Sequence, residues 1–271
     1  MEQKKYSREN PRRAGKPAFR RAQPDPETAE NLLEGRNAVQ EALTAGRPID
    51  KVYIAAGETD RALARLAAMA REAGAAVAET DRRKLDQLSA TGAHQGIIAV
   101  VAAHAYASVD DILENAKNRG EAPLIVICDE LSDPHNLGAI IRTAECAGAH
   151  GVIIPKRRSV GLTAVVGKAS AGALEYLPVA HVSNLVSTIR ELQKAGVWVF
   201  GTAADGDTQL YQADLKGPAA IVIGNEGEGM SRLVSEACDF KVSIPMHGRI
   251  SSLNASNAAA ILLYEAVRQR G

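Results

Sequence analysis

The stretch LIVICDELSDPHNLGAIIRTAECAGAHGVIIP, residues 124–155, decides the fold that the sequence predicts. It begins with a nearly continuous apolar run, 124–131, which is typical of a strand buried on both faces of a sheet. A helical segment, 136–147, follows and stops at Gly148, and a second apolar run occupies 151–155. Two strands joined by a helix in this way predict a βαβ unit with parallel strands.

The same alternation continues to the end of the chain. The sequence predicts further helices at 162–170, 184–195 and 254–268, and further strands at 197–204, 219–226 and 240–246. We therefore expect a parallel-sheet α/β domain over residues 123–271, with helices on the sheet and ligands at the carboxyl ends of the strands.

A smaller α/β pattern precedes this domain. Helices are predicted at 33–45, at 61–73 and from Asp81, and strands at 51–56, 75–80 and 96–103. We expect a small domain over residues 31–104, a length that can fold alone, and a linker over 105–122.

The charge of the chain is unevenly distributed. Its 271 residues carry no formal net charge, but residues 1–21 hold eight Lys or Arg and two Glu, a net of +6. This basic segment has no hydrophobic periodicity, so we expect residues 1–30 to form a disordered tail. The basic segment is either a solvated leader or an arm that contacts RNA phosphates through its charge.

The remaining composition excludes several classes of protein. No apolar run reaches the roughly 18–20 residues of a membrane span, and the N-terminus lacks the apolar core of a secretory signal. The three cysteines show no CxxC spacing, so neither a disulfide framework nor a metal site is indicated. These features together favour the cytoplasm.

Three polar segments follow predicted strands of the larger domain. They are DPHNLGAIIRTA (133–144), GNEGEGM (224–230) and IPMHGRISSLNASNAAA (244–260). Each has an ordinary structural explanation: Asn136, Ser252 or Asn254 can cap a helix, and glycines can make a plain turn. Arg142 can be a surface residue, a salt-bridge partner or a phosphate ligand.

Taken together, in this order and spacing, the three segments resemble the three motifs of the SpoU-type (TrmH) RNA 2′-O-ribose methyltransferases of the SPOUT class. The stretches LLEGRNAVQEAL and HQGIIAVVA in the first half resemble the accessory substrate-binding domain of the branch that modifies a guanosine in 23S ribosomal RNA. The resemblance covers about residues 31–271.

The resemblance implies a fold that periodicity alone would not predict, a parallel α/β sheet whose C-terminal segment forms a deep trefoil knot. It also implies S-adenosylmethionine as the cofactor, no metal, a homodimer and ribosomal RNA as the partner. The residues that it assigns to cofactor binding are Gly201, Thr202, Gly224, Ile244 and Leu253. The residues that it assigns to catalysis are Asn136, Arg142, Glu226, Ser252 and Asn254, with Glu226 holding either Arg142 or a loop. Those expected to contact RNA are Arg36, Asn37, His94 and Gln95.

Two other functions are compatible with an α/β fold. The first is a non-catalytic factor that binds ribosomal RNA during assembly, which would not need all five residues of the catalytic set. The second is an NAD-dependent dehydrogenase, but the GxGxxG fingerprint and its following acidic residue are missing. Within the methyltransferase reading, a transfer-RNA substrate remains open.

Overall fold

The computed structural model describes residues 31–57, 60–89 and 91–271. The predicted tail, residues 1–30, lies outside the described residues. The described chain forms two sheets, one of four strands and one of seven, each covered by its own helices. Two α/β domains, the second with a parallel sheet, confirm the predicted fold class.

The first domain has a mixed sheet with the strand order β1-β4-β2-β3. Its elements are Leu32–Glu34 (β1), Arg36–Thr44 (α1), Ile49–Ala55 (β2), Arg61–Glu72 (α2), Ala76–Thr80 (β3), Arg82–Leu88 (α3) and Ile97–Val101 (β4). The side chain of Asp60 caps α2, which buries Leu63, Leu66, Ala67 and Ala70 along one face.

The start of this domain corrects one prediction. The helix predicted over 33–45 begins only at Arg36, and residues 32–34 form β1, paired with β4. Gly35 causes the difference because its φ of 89° lies outside the range of a helix.

The second domain has a sheet with the order β7-β6-β5-β10-β8-β11-β9, and all its paired strands are parallel. Its strands are Leu124–Cys128 (β5), Gly151–Pro155 (β6), Val179–Val182 (β7), Trp198–Thr202 (β8), Thr208–Gln209 (β9), Ala219–Ile223 (β10) and Phe240–Ser243 (β11). Its helices are Val109–Arg119 (α4), Pro134–Cys146 (α5), Ala164–Ala169 (α6), Leu185–Lys194 (α7), Arg232–Ala237 (α8) and Ala255–Arg270 (α9).

The helices cover both faces of this sheet. On one face, α5, α6 and α9 pack over the strands, and on the other face α4, α7 and α8 do so. The order of the strands brings β8, β10 and β11 together, so their carboxyl ends meet at one edge. The segment between β11 and α9 returns across this edge, because α9 packs against α5 and β10. Passage of the segment through a loop, which would make the trefoil knot, stays a prediction.

Several short elements of the second domain escaped prediction. Strands β7 and β9 and helix α8 have only two to six residues each, too short for a clear periodicity. Residues 109–119 lay in the predicted linker and form α4, whose Ile112 is fully buried. No helix in the described ranges is long and apolar enough to cross a membrane.

Candidate active site

A cavity of about 490 Å³ opens at the carboxyl ends of β8, β10 and β11. Three stretches of chain line most of it: 202–205 after β8, 223–230 after β10, and the return segment that leads into α9. Four of the five residues predicted to bind the cofactor line this cavity: Thr202, Gly224, Ile244 and Leu253. The fifth, Gly201, lies beside it, and a Cβ at Gly201 would stand 2.7 Å from Cε of Met230.

The glycine-rich loop 224–230 is folded tightly on itself. The backbones of Asn225 and Gly229 exchange two hydrogen bonds of 2.9 Å, and Gly229 has a φ of 72°. A side chain at Gly224 would overlap the backbone of Gly229 and Met230. The loop therefore requires glycine at both positions, and all of its residues, 224–230, line the cavity.

Asn136, Glu226 and Asn254, one from each polar segment, meet beside the cavity. The Nδ2 group of Asn136 donates to Oε1 of Glu226 at 2.7 Å, and Nδ2 of Asn254 donates to the same oxygen. Nδ2 of Asn254 also lies 2.9 Å from Oδ1 of Asn136. This carboxamide–carboxylate cluster therefore ties the loop after β10 to the starts of α5 and α9.

Helix capping explains how these amides are placed. Asp133 caps α5 through a hydrogen bond from the His135 backbone N–H, so Asn136 lies within the first turn of the helix, contrary to its reading as the cap. Asn254 does cap α9, because its Oδ1 accepts from the N–H groups of Ser256 and Asn257. Asn254 thus combines a structural role with its place in the cluster. Ser252 lines the cavity two residues earlier.

Asp129 is a buried carboxylate that sequence reasoning missed. It follows β5 directly, is 2% exposed, and its Oδ2 accepts a 2.7 Å hydrogen bond from the N–H of Ser231, just beyond the glycine-rich loop. Burial raises the pKa of Asp129, and the hydrogen bond from Ser231 opposes that rise. An acidic residue at the end of an apolar strand was the available signal.

Arg142 lies apart from this cluster. It is exposed on α5, and no described residue forms an ion pair or hydrogen bond with it. Of the two partners proposed for Glu226, the structure therefore shows the loop and its neighbouring helix starts rather than Arg142. Within one chain, the guanidinium remains free to meet a group from outside.

The four residues predicted to contact RNA lie around the start of α1 and the turn before β4. Arg36 donates to the backbone oxygen of Gln95 and pairs with Asp60, and Asn37 and Gln95 are exposed. His94 is instead 7% exposed. One of its ring nitrogens accepts a hydrogen bond from the Gly96 N–H, and the other lies 3.2 Å from a carboxylate oxygen of Asp86. His94 therefore orders this turn, and the exposed side chains beside it are the accessible ones.

The cavity fits S-adenosylmethionine. Its volume is within the range of about 300–1,000 Å³ that cofactor sites occupy. Apolar side chains of Ile223, Ile244 and Leu253 suit an adenine ring, and the backbone groups of 224–230 suit its polar edge and the ribose. A pocket at the carboxyl edge of a parallel α/β sheet is the usual ligand site of this architecture, and its lining suits a nucleotide-like cofactor.

Comparison with known proteins gives the family. The profile of the SpoU rRNA Methylase family matches residues 123–264, and the profile named RNA 2′-O ribose methyltransferase substrate binding matches residues 32–107. YacO of Bacillus subtilis (strain 168), named as belonging to the TrmH family of tRNA/rRNA methyltransferases, is 48% identical over 87% of this chain and 94% of its own length.

Solved structures agree. The SpoU methyltransferase AviRb of Streptomyces viridochromogenes, crystallised with AdoMet, aligns with a TM-score of 0.56 and 31% identity over 88% of this chain and 89% of its own. An AdoMet-bound rRNA methyltransferase of Sinorhizobium meliloti aligns with a TM-score of 0.54 and 27% identity, over 88% of this chain and 86% of its own. The chain belongs to the SpoU (TrmH) family and is an RNA methyltransferase that uses S-adenosylmethionine.

Proposed function

We propose that this enzyme methylates the 2′-hydroxyl of a guanosine in 23S ribosomal RNA. The observation that carries the proposal is the pairing of a catalytic domain with a separate domain similar to the substrate-binding domains of RNA 2′-O-ribose methyltransferases. The sequence of that first domain resembles the branch that acts on large-subunit ribosomal RNA. YacO is named for both tRNA and rRNA, so a transfer RNA is the second candidate substrate.

The cofactor supplies a methyl group on a sulfonium, and the residues of the chain hold it and the ribose in line. Backbone groups of 224–230 and the side chains of Ile244 and Leu253 would enclose the cofactor. The cluster of Asn136, Glu226 and Asn254 keeps this loop in one conformation before the cofactor arrives. Preorganisation of this kind lowers the cost of binding and of reaching the reactive geometry.

Arg142 would act on the RNA. A guanidinium keeps its positive charge at any ordinary pH, so it is a poor acceptor for the proton of the 2′-hydroxyl. It is well suited to hold the adjoining phosphate and to stabilise negative charge developing on the 2′-oxygen. The proton then leaves to solvent or to a phosphate oxygen. Ser252, exposed at the cavity rim, would orient the ribose by a hydrogen bond.

A homodimer would bring Arg142 to a cofactor cavity. Arg142 and Cys146 lie on the exposed face of α5, and the neighbouring helix α9 exposes 52% of Tyr264. The resemblance to the family implies the homodimer, and the exposed position of Arg142 leaves its guanidinium accessible to a second copy. Each Arg142 would then face the site of the other subunit.

The first domain would select the RNA. Asn37 and Gln95 are exposed beside Arg36, and the base edges of an unpaired RNA loop accept and donate hydrogen bonds to such amides. The domain has its own hydrophobic core, which includes Val39, Leu63 and Ile97. The RNA arm at residues 1–21 and the cytoplasmic location stay predictions from the sequence.

The test is methyl transfer from labelled S-adenosylmethionine to unmodified 23S ribosomal RNA and to unmodified transfer RNA. We expect label in 23S RNA, in a ribose that then resists alkaline cleavage. Label in transfer RNA alone would select the second substrate. Binding of cofactor and RNA without any transfer would instead indicate the assembly factor.

A further inference from the structure

A buried polar cluster joins the two domains beside β7, the edge strand of the second sheet. Asp50 of β2 in the first domain is 8% exposed, and its Oδ1 accepts a hydrogen bond from the hydroxyl of Tyr106. The Tyr106 oxygen in turn accepts a 2.9 Å hydrogen bond from the N–H of Leu162 in the second domain. One phenol therefore bridges the two domains.

His181 of β7 completes the cluster. Its ring stacks on Tyr106 with a centroid separation of 4.3 Å, and its Nδ1 lies 3.7 Å from Oδ1 of Asp50. The other carboxylate oxygen of Asp50, Oδ2, is buried and has no hydrogen-bond partner among the described residues. A buried carboxylate oxygen without a partner costs stability.

Gly161 provides the space that Asp50 occupies. A methyl group at Gly161 would overlap Oδ2 of Asp50 and the hydroxyl of Tyr106, so a side chain there would push the first domain away. Gly161 lies in the segment between β6 and α6, and its φ is not in the left-handed region. Close approach of the two domains, rather than backbone conformation, is what requires glycine here.

The connection between the domains is fixed to the second one. The N–H of Ala103 donates to the oxygen of Leu162 at 2.7 Å, and the N–H of Ala107 donates to the oxygen of Val179 at 2.9 Å. Tyr106 is thereby held against the second domain, and its hydroxyl donates a hydrogen bond to Asp50 of the first domain.

We propose that Asp50, Tyr106 and Gly161 form an interdomain latch that sets the orientation of the substrate-binding domain on the catalytic domain, and so positions the target ribose over the cofactor cavity. The inference rests on the proposed function, in which the first domain carries the RNA. These are positioning residues, because they act on the RNA through the domain that binds it. Loss of the latch lowers the fraction of bound RNA that presents its ribose to the methyl group.

The test compares Gly161→Ala and Tyr106→Phe with Gly217→Ala, a control glycine with no atom within 4 Å of the added methyl group. We expect Gly161→Ala to lower kcat on 23S RNA by about tenfold or more. The dissociation constants for S-adenosylmethionine and for RNA should stay within about twofold of wild type, since both binding surfaces remain intact. Tyr106→Phe should change kcat in the same direction, and Gly217→Ala should match wild type.

Small-angle scattering gives an independent readout, because an opened latch increases the radius of gyration of Gly161→Ala. An unchanged kcat in both latch variants would overturn the inference, as would a loss of cofactor affinity equal to the loss of kcat. If Gly161→Ala does not fold, Tyr106→Phe decides alone. A wild-type enzyme inactive on every RNA would instead contradict the proposed function, which separates the two failures.

Discussion

The Nδ2 group of Asn136 donates a hydrogen bond of 2.7 Å to Oε1 of Glu226, a residue 90 positions further along the chain. This bond joins the first turn of α5 to the loop that lines the cofactor cavity. Asn254, which caps α9, donates to the same carboxylate. Three segments that are distant in the sequence are therefore held together by one acceptor.

Removal of that acceptor should weaken cofactor binding. In Glu226→Ala, both amides lose their partner and the loop 224–230 loses a fixed conformation, so the dissociation constant for S-adenosylmethionine should rise by about tenfold or more, which equals about 1.4 kcal/mol. Glu226→Gln keeps an accepting oxygen without the charge, so its dissociation constant for the cofactor should lie between those of wild type and Glu226→Ala. Isothermal titration calorimetry measures both. Glu236→Ala, which removes only an exposed ion pair with Arg232, is the control, and equal losses in control and variant would contradict the role of the cluster.

Arg142→Ala should leave cofactor affinity and folding near wild type, because no described residue pairs with this side chain. Methyl transfer should fall by at least about 10²-fold, the scale of losing one preorganised stabiliser of charge. Arg142→Lys retains the charge without the bidentate donor geometry of the guanidinium, so it should recover part of the rate with an unshifted pH–rate profile. A pH–rate profile displaced by whole pH units in the lysine variant would show that the side chain at position 142 takes the proton of the 2′-hydroxyl.

The proposed homodimer gives this prediction a second form. A mixture of Arg142→Ala with Glu226→Ala should be more active than either alone if each arginine serves the partner's site, because a mixed dimer then keeps one intact site. Size-exclusion chromatography must show that the subunits exchange. A mixture no more active than the sum of its parts, with exchange established, would place Arg142 at the site of its own subunit.

Prediction from sequence succeeded where periodicity or motif order was strong. The parallel sheet followed from apolar runs such as 124–131. Four residues that the resemblance assigns to the cofactor line the cavity, and their part in binding it stays a prediction. The resemblance left Glu226 holding either Arg142 or a loop, and the local sequence could not decide between them, because the contact with Asn136 depends on a helix that Asp133 rather than Asn136 caps. The role of Gly161 depends on a contact between domains, which no local pattern encodes.

Asp129 should hold the far end of the cofactor loop. Asp129→Ala removes the acceptor of the Ser231 N–H, so hydrogen exchange at that amide should accelerate by tenfold or more, about 1.4 kcal/mol of lost protection. Cofactor affinity should fall in parallel, since residues 225–230 then move more freely. Glu236→Ala, which leaves both Asp129 and the Ser231 N–H in place, serves as the control. Fast exchange at Ser231 already present in the wild-type enzyme would contradict the assignment.

Asp50 should make the stability of the enzyme depend on pH in a defined direction. Burial raises the pKa of Asp50 to about 6, against the opposing hydrogen bond from Tyr106. In the unfolded chain the carboxyl group releases its proton near pH 3.8, so the free energy of unfolding falls as pH rises from about 4 to about 6. His181 acts in the opposite direction, because burial, with the nearby charge of Lys156, lowers its pKa to about 4.

Variants at the two positions separate these contributions. The stability of Asp50→Asn relative to wild type should rise between pH 4 and pH 6, by at most about 3 kcal/mol at ~1.4 kcal/mol per pH unit, and then level off. His181→Gln should show the reverse slope up to about pH 6.5. Urea unfolding at several pH values measures both, and a difference from wild type that does not vary with pH would contradict the buried state of the pair.

Mapping of the methyl group on RNA tests the central claim most directly. Unmodified 23S ribosomal RNA is incubated with the enzyme and labelled S-adenosylmethionine, and the labelled nucleotide is then isolated and identified. We expect one guanosine to carry the label on its 2′-oxygen, at a rate at least about 10²-fold lower when Arg142→Ala replaces the wild-type enzyme. Label on a base, or no label in any RNA despite tight binding of the cofactor, would contradict it.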